Sequence, residues 1–292
     1  MLRTTLLPPS FFLDFSLVPS LNHLLLGRAS AHTLIEHFAL PPLDLALLEE
    51  ALTAPSSACG FDYQRLEHVG DSPLKLFTTV HLYLENPLMD EGRLSRLRDN
   101  SVDNRCLRLR SLECGLAKHV LSHTLCTSTF VPEESVKATV SDDGLSMVKK
   151  LSRRLLCDIV EATLGASLLS GHVSTTVDGD KPTIELAAEG FDRVLALGDR
   201  LGLCFGGPTP WHERPSARKL LDVSPQRAGP AFRHLEVALG YKIETQGQLL
   251  VQALTHRSWV GQGAFTYERE EFLGDALLDT VRPSFALSLC VS

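Results

Sequence analysis

The sequence predicts an all-α fold. Apolar residues recur at three- to five-residue steps along most of the chain, capping residues flank several of these stretches, and no convincing run of alternating β-branched residues interrupts them. Residues 43–53 (LDLALLEEALT) set Leu43, Leu47, Leu48 and Leu52 on one face, opposite Glu49 and Glu50. Residues 63–84 place Leu66, Val69, Leu74, Phe77, Val80 and Leu84 at helical spacing, which predicts one long helix ending near Asn86-Pro87. Pro73 lies inside it, offers no N–H and crowds the Val69 carbonyl, so a kink or a displaced helix start is expected. Further helices are expected over 90–99, capped by Asp90, and over 103–113, followed by Gly115. Others are expected over 148–169, 184–200 and 228–239, the last closed by Gly240. Residues 127–146 and 171–182 lack periodicity and read as Ser/Thr/Asp/Gly-rich loops.

At 292 residues the chain has room for one large domain or two ordinary ones. With 44% hydrophobic and 22% charged residues it is neither disordered throughout, nor fibrous, nor a disulfide scaffold. The net charge of −7 provides no global positive field, so any nucleic-acid binding must come from a local basic surface. Seven scattered cysteines without a C-x-x-C pair imply buried thiols in a reducing compartment. The N-terminal stretch MLRTTLLPPSFFLDFSLV is broken by Pro8, Pro9 and Asp14 and is followed by no small-residue cleavage site, which argues against a signal peptide. No apolar run reaches the roughly 18 residues of a membrane helix, so a cytoplasmic or nuclear location without a membrane partner is expected.

One internal repeat shapes the domain reading. Residues 51–75 (ALTAPSSACGFDYQRLEHVGDSPLK) and 253–279 (ALTHRSWVGQGAFTYEREEFLGDALLD) share YxRxExxGDxxL at an offset of 204 residues, with a two-residue insertion. The offset is far beyond solenoid periods and indicates a tandem domain. The expected organisation is a leader over 1–20 and a first domain over 21–205 with its core at 43–170. A linker rich in Gly and Pro follows over 206–233, and an incomplete second copy over 234–292.

Two acidic pairs carry the chemistry. Glu67 and Asp71 are four apart on the long helix and Asp158 and Glu161 three apart on another, so each pair shares a helix face. Both interrupt apolar surroundings, where carboxylates are costly unless paired or bound to a cation. Four such side chains on facing helices suit hard divalent ions such as Mg²⁺, and two such ions can promote phosphodiester hydrolysis. Arg65 and Lys75 stand close enough in sequence to make the first pair an ordinary solvated, salt-bridged face instead.

The wider motifs decide between these. YQRLEHVGDSPLK, DEGRLSRLRDNSVDN and DIVEATLGA, in that order over residues 43–170, resemble the ribonuclease III family, whose catalytic domain carries LEFLGD, a DEGxLxxLR segment and a D-x-x-E helix. EALTAPS, LKLFTTVHLYLENP, GLCFGG and the second copy resemble its Dicer branch, whose members have tandem domains. The resemblance implies a Mg²⁺-dependent endoribonuclease, with Mn²⁺ as a substitute, that cuts double-stranded RNA to leave 5′-phosphates and 3′-hydroxyls in small-RNA processing. Glu67, Asp71, Asp158 and Glu161 match its catalytic metal ligands. Glu271 and Asp275 match the first pair in the second copy. Asp158 stands 87 residues after Asp71, and the same step from Asp275 passes residue 292, leaving that second site incomplete.

His68 replaces the motif's Phe, Pro73 follows Asp71 by two, Glu270 stands where an apolar residue is expected, and TVRPSFALSLCVS after Asp279 departs from the family pattern, as in a truncated gene model or read-through of a splice junction. Arg93, Arg96, Arg98 and Arg105, in a stretch that also holds Arg108 and Arg110, are candidate RNA contacts or a plain solvated face. Lys149, Lys150, Arg153 and Arg154 have the same two readings. His119, His123 and His256 and the Cys157 thiol read as structural, and no Gly-rich phosphate loop indicates a nucleotide cofactor. The family packs its domains in pairs, which implies a homodimer or a partner ribonuclease III domain here. A catalytically incompetent RNA-binding or scaffold protein is the competing reading.

Overall fold

The computed structural model describes residues 9–57, 59–122, 151–170, 174–177, 182–185, 188–217, 232–242, 247–259 and 266–290. Three of its described helices begin at a side-chain cap. Helix α1 (Pro9–Phe38) opens on a proline, whose missing N–H costs nothing there, and thus takes in much of the expected leader. Helix α2 (Leu45–Leu52) is capped by Asp44, which accepts from the Ala46 amide at 2.8 Å. Helix α3 (Gln64–Glu85) runs through Pro73, and its start is not displaced. Helices α4 (Glu91–Val102), capped by Asp90, and α5 (Asn104–Glu113) follow, and Ser152 caps α6 (Arg153–Leu169) through the Leu155 amide. The loop expected over 127–146 lies outside the described residues.

The loop expected over 171–182 contains instead the antiparallel pair β1 (Ser174–Val177) and β2 (Pro182–Glu185), in register Ser174 to Glu185. The β-branched content of STTV and PTIE favours this pairing, and it delays the next helix, α7 (Ala188–Arg200), beyond the expected start at 184. The remaining helices are α8 (Arg233–Leu239), α9 (Gly247–Ala253) and α10 (Glu268–Cys290). The described chain is therefore helical apart from this hairpin, and none of its helices is long and apolar enough to cross a membrane.

Two units divide the chain. The first comprises Met1–Asp71, Leu107–Val173 and Leu186–Arg193. At its centre α6 is buried almost all round, with Ile159, Val160 and Leu164 fully so, as expected of a core helix rather than an amphipathic one. It packs on α2, and α2 packs on α1. Glu49 therefore departs from the expectation of a solvated face: α1 covers it, and Arg28 Nε pairs with its Oε2 at 2.6 Å. The start of α3 meets α6 with backbones nearly touching. A Cβ at Gly70 would overlap the Glu161 carbonyl, and one at Gly165 the Leu66 carbonyl.

The second unit comprises Ser72–Cys106, Ser174–Glu185 and Val194–Ser292. Here the second sequence copy docks on residues of the first. Phe272 of α10 packs with Leu82 and Leu94, next to Met89 and Cys204. Arg269 is almost fully buried. Its Nη1 donates to the carbonyls of Asn86 (2.8 Å) and Met89 (2.6 Å), its Nη2 to that of Tyr83 (3.1 Å), and its guanidinium lies 4.5 Å over the Tyr83 ring. These are carbonyls at and beyond the end of α3 that no helical amide reaches. The first part of the expected linker is similarly ordered: buried Arg214 donates to the carbonyls of Thr209 and Gly207, and Phe77 packs near Phe205 and Trp211. Residues 218–231 of it lie outside the described residues.

The repeat is structural as well. The Tyr63 amide donates to the Thr53 carbonyl at 2.9 Å and the Glu67 amide to the Tyr63 carbonyl at 2.8 Å. In the second copy Tyr267, Thr255 and Glu271 make the same two bonds at 3.0 and 2.8 Å. The copies differ at the glycine of the motif, because Gly274 faces no described atom within 4 Å where Gly70 is pressed against α6. Gly70→Ala should therefore destabilise the protein by about 3 kcal/mol or more, the upper range for overpacking. Gly274→Ala should be neutral or stabilise by up to about 1 kcal/mol through helix propensity, and thermal melts of the two variants check both.

Candidate metal centre

Glu67 lies in the first turn of α3, and Asp158 and Glu161 lie on the inward face of α6. Because the helices cross at Gly70 and Gly165, one carboxylate oxygen from each of these three residues falls within 4.8 Å of the others. Asp158 is buried, Glu67 and Glu161 half-buried. The Tyr63 hydroxyl donates to Asp158 Oδ2 at 2.9 Å. Arg154 Nε approaches the same oxygen only to 3.7 Å from a side chain that is 84% exposed, so it neutralises little.

The electrostatics reflect carboxylates gathered close together. Burial and the neighbouring Asp158 push the Glu67 carboxyl above the ordinary carboxylate range; Asp71 adds to the rise, while Arg154 and His68 oppose it. Burial, reinforced by the Asp158 hydrogen bond, raises the Tyr63 phenol and keeps it a donor. Burial and then Asp158 push the Cys157 thiol up to about 11, and its Sγ donates to the Arg153 carbonyl, consistent with a structural group. An all-oxygen, multiply charged donor set fits a hard divalent cation.

Asp71 does not join the set of three, although its charge reaches Glu67. Glu271 and Asp275 are exposed on α10, and among the described residues no third metal-ligating side chain gathers around them. Between them and Tyr267, Glu270 departs from the motif for a visible reason: its Oε1 accepts from the Tyr83 hydroxyl at 3.1 Å.

The arginine strip divides into different roles. Arg96 and Arg105 are exposed, Arg93 pairs with Asp90, and Arg98 lies 5.1 Å over the Phe272 ring, where it caps an apolar contact. Lys149, Lys150 and His123 lie outside the described residues. His119 bonds to His37 at 3.2 Å, and burial lowers it to about 4; His256 bonds Ser258, so both fill structural places. Tyr63 is the residue that sequence reasoning missed. Its signal was its recurrence in both copies of the repeat, to which no role was attached.

The segment holding these carboxylates also matches a known family. A model of the ribonuclease III domain matches residues 64–172, which include α3, α6 and all four expected ligands. These residues form a ribonuclease III domain. The chain is similar to Dicer-like protein 2 of Aspergillus terreus, 32% identical over 234 residues that cover 79% of this chain and 15% of that protein. Protein Dicer of Schizosaccharomyces pombe is 30% identical over 271 residues, or 91% of this chain and 18% of that protein. The chain thus spans less than a fifth of the length of these relatives. The ribonuclease III domain thus carries an acidic cluster suited to a divalent metal.

Two measurements follow from the electrostatics. Mg²⁺ at about one hundred times its Kd should stabilise the wild type by roughly 2.7 kcal/mol and leave Glu161→Ala unmoved in thermal melts. A carboxyl raised in the folded state stabilises the fold when protonated and ceases to do so as pH rises through its folded value. Metal-free Glu67→Gln should therefore melt above wild type at pH 7, and the gap should close below about pH 4, where model carboxyls protonate.

Proposed function

We propose that this chain is a divalent-metal-dependent endoribonuclease that cuts double-stranded RNA. The observation that carries the proposal is the convergence of Glu67, Asp158 and Glu161 from two helices whose backbones touch. These residues, with Asp71 one turn along α3, would hold Mg²⁺ or Mn²⁺, in the two-ion arrangement the family resemblance implies. The bound cations would supply Lewis-acid stabilisation of the charge that develops on a phosphodiester under attack by water. The residues do the rest: burial in α6 restrains Asp158, with half-buried Glu161 one turn along the same helix, and the crossing of the two helices holds Glu67 opposite them. The products carry 5′-phosphate and 3′-hydroxyl ends, in the small-RNA processing that the Dicer-like relatives suggest.

Exposed Arg96 and Arg105 are the better RNA-contact candidates, with Arg93 beside them, since Arg98 is committed to Phe272. We place the first ribonuclease III domain at 21–205 and residues of the second copy at 234–292, acting in the cytoplasm or nucleus, with pairing to a second copy or another ribonuclease III domain readable by light scattering. A second reading has its own support: exposed Glu271 and Asp275 beside the open Gly274 favour a second copy that binds or pairs without cleaving.

Purified chain with Mg²⁺ should nick or cut duplex RNA, and Glu161→Ala should lose that activity entirely. Equal cleavage by the variant overturns the assignment. Duplex binding without metal-dependent cleavage by the wild type selects the scaffold reading. Arg96→Glu combined with Arg105→Glu should weaken duplex binding and flatten its salt dependence by about two phosphate contacts, measured by titration at several salt concentrations.

A further inference from the structure

We infer that Tyr63 is a positioning residue of the metal centre, whose hydroxyl fixes the orientation of the Asp158 carboxylate and commits Oδ2 to hydrogen bonding, leaving Oδ1 as the oxygen open to a cation. The inference rests on the reading of Glu67, Asp158 and Glu161 as the metal centre.

Tyr63 is built into place from three directions. Its amide is held by the Thr53 carbonyl at 2.9 Å, and Thr53 is itself anchored by its hydroxyl, which donates to the Glu49 carbonyl at 2.6 Å. Its carbonyl accepts the Glu67 amide at 2.8 Å, in the turn that opens α3. Its ring is buried, 7% exposed, which leaves the hydroxyl little freedom, and that hydroxyl meets Asp158 Oδ2 at 2.9 Å. One residue therefore fixes the backbone beneath one carboxylate and the side chain of another, across two helices.

Packing alone does not explain the oxygen. A phenylalanine would fill the same space, whereas a hydroxyl in this interior has to find a partner and finds a single carboxylate oxygen. The rival for that oxygen, Arg154, is at 3.7 Å on an 84% exposed side chain and cannot hold an orientation. Groups bonded to the ligands of a metal set ligand direction, and their loss typically costs 10- to 100-fold in metal affinity.

The test uses the full chain and Mn²⁺ as the probe, with binding read by electron paramagnetic resonance. Tyr63→Phe should fold with wild-type far-ultraviolet circular dichroism, bind Mn²⁺ on the order of tenfold more weakly, and recover duplex-RNA cleavage as Mn²⁺ is raised. Wild-type Mn²⁺ affinity in Tyr63→Phe overturns the inference, and so does failure of that variant to fold, which would make the hydroxyl structural. Asp158→Asn separates the two levels. If it loses Mn²⁺ while Tyr63→Phe does not, only the role of Tyr63 falls; if it keeps wild-type affinity, the metal centre falls with it.

Discussion

The contact between α3 and α6 at Gly70 and Gly165 is the constraint on which the site depends. Two helices with ordinary side chains at their crossing keep their axes 8–10 Å apart. Here each glycine faces a carbonyl of the other helix with no room for a Cβ, so the backbones approach closely. That approach brings Glu67 within 4.8 Å of Asp158 and Glu161 without long or mobile side chains. It also accounts for the burial of α6 around its two acids: the helix packs against α2 and, at the glycines, against α3.

Gathering like charges this way has an energetic cost. Arg154, solvent-exposed and 3.7 Å from Asp158, opposes the effect only in part, and the Glu67 carboxyl holds its proton more tightly. Tyr63 donates a neutral hydrogen bond, which orients without neutralising. A cation bound at such a site would relieve repulsion already present, so affinity and instability of the metal-free form would have one origin.

Much of this was legible in the residues. Leu66, Val69, Leu74, Phe77 and Val80 are buried as their spacing implies, and the acidic pairs stood out because they broke apolar helices. What escaped depended on neighbours distant in sequence. Glu49 looked solvated until α1 covered it, and Arg98 looked like a phosphate contact until Phe272 arrived beneath it from 174 positions further along. The β1–β2 hairpin is two runs of four residues, too short for periodicity to separate from a loop. Asp71 was grouped with the ligands by its motif, whereas its place one turn beyond Glu67 leaves it outside the innermost set.

The docking of Arg269 and Phe272 bears on where this protein can be divided. An excised first domain ending at residue 205 would keep every carboxylate of the cluster, yet the carbonyls of Tyr83 and Met89 would lose the Arg269 guanidinium, that of Asn86 would keep only the Met89 amide, and Leu82 and Leu94 would lose their aromatic cover. Sequence homology draws its boundary at the end of a repeat, but the stretch from Ser72 to Cys106 completes its interior with side chains from the other copy. The unit of descent and the unit of folding are therefore different pieces of this polypeptide.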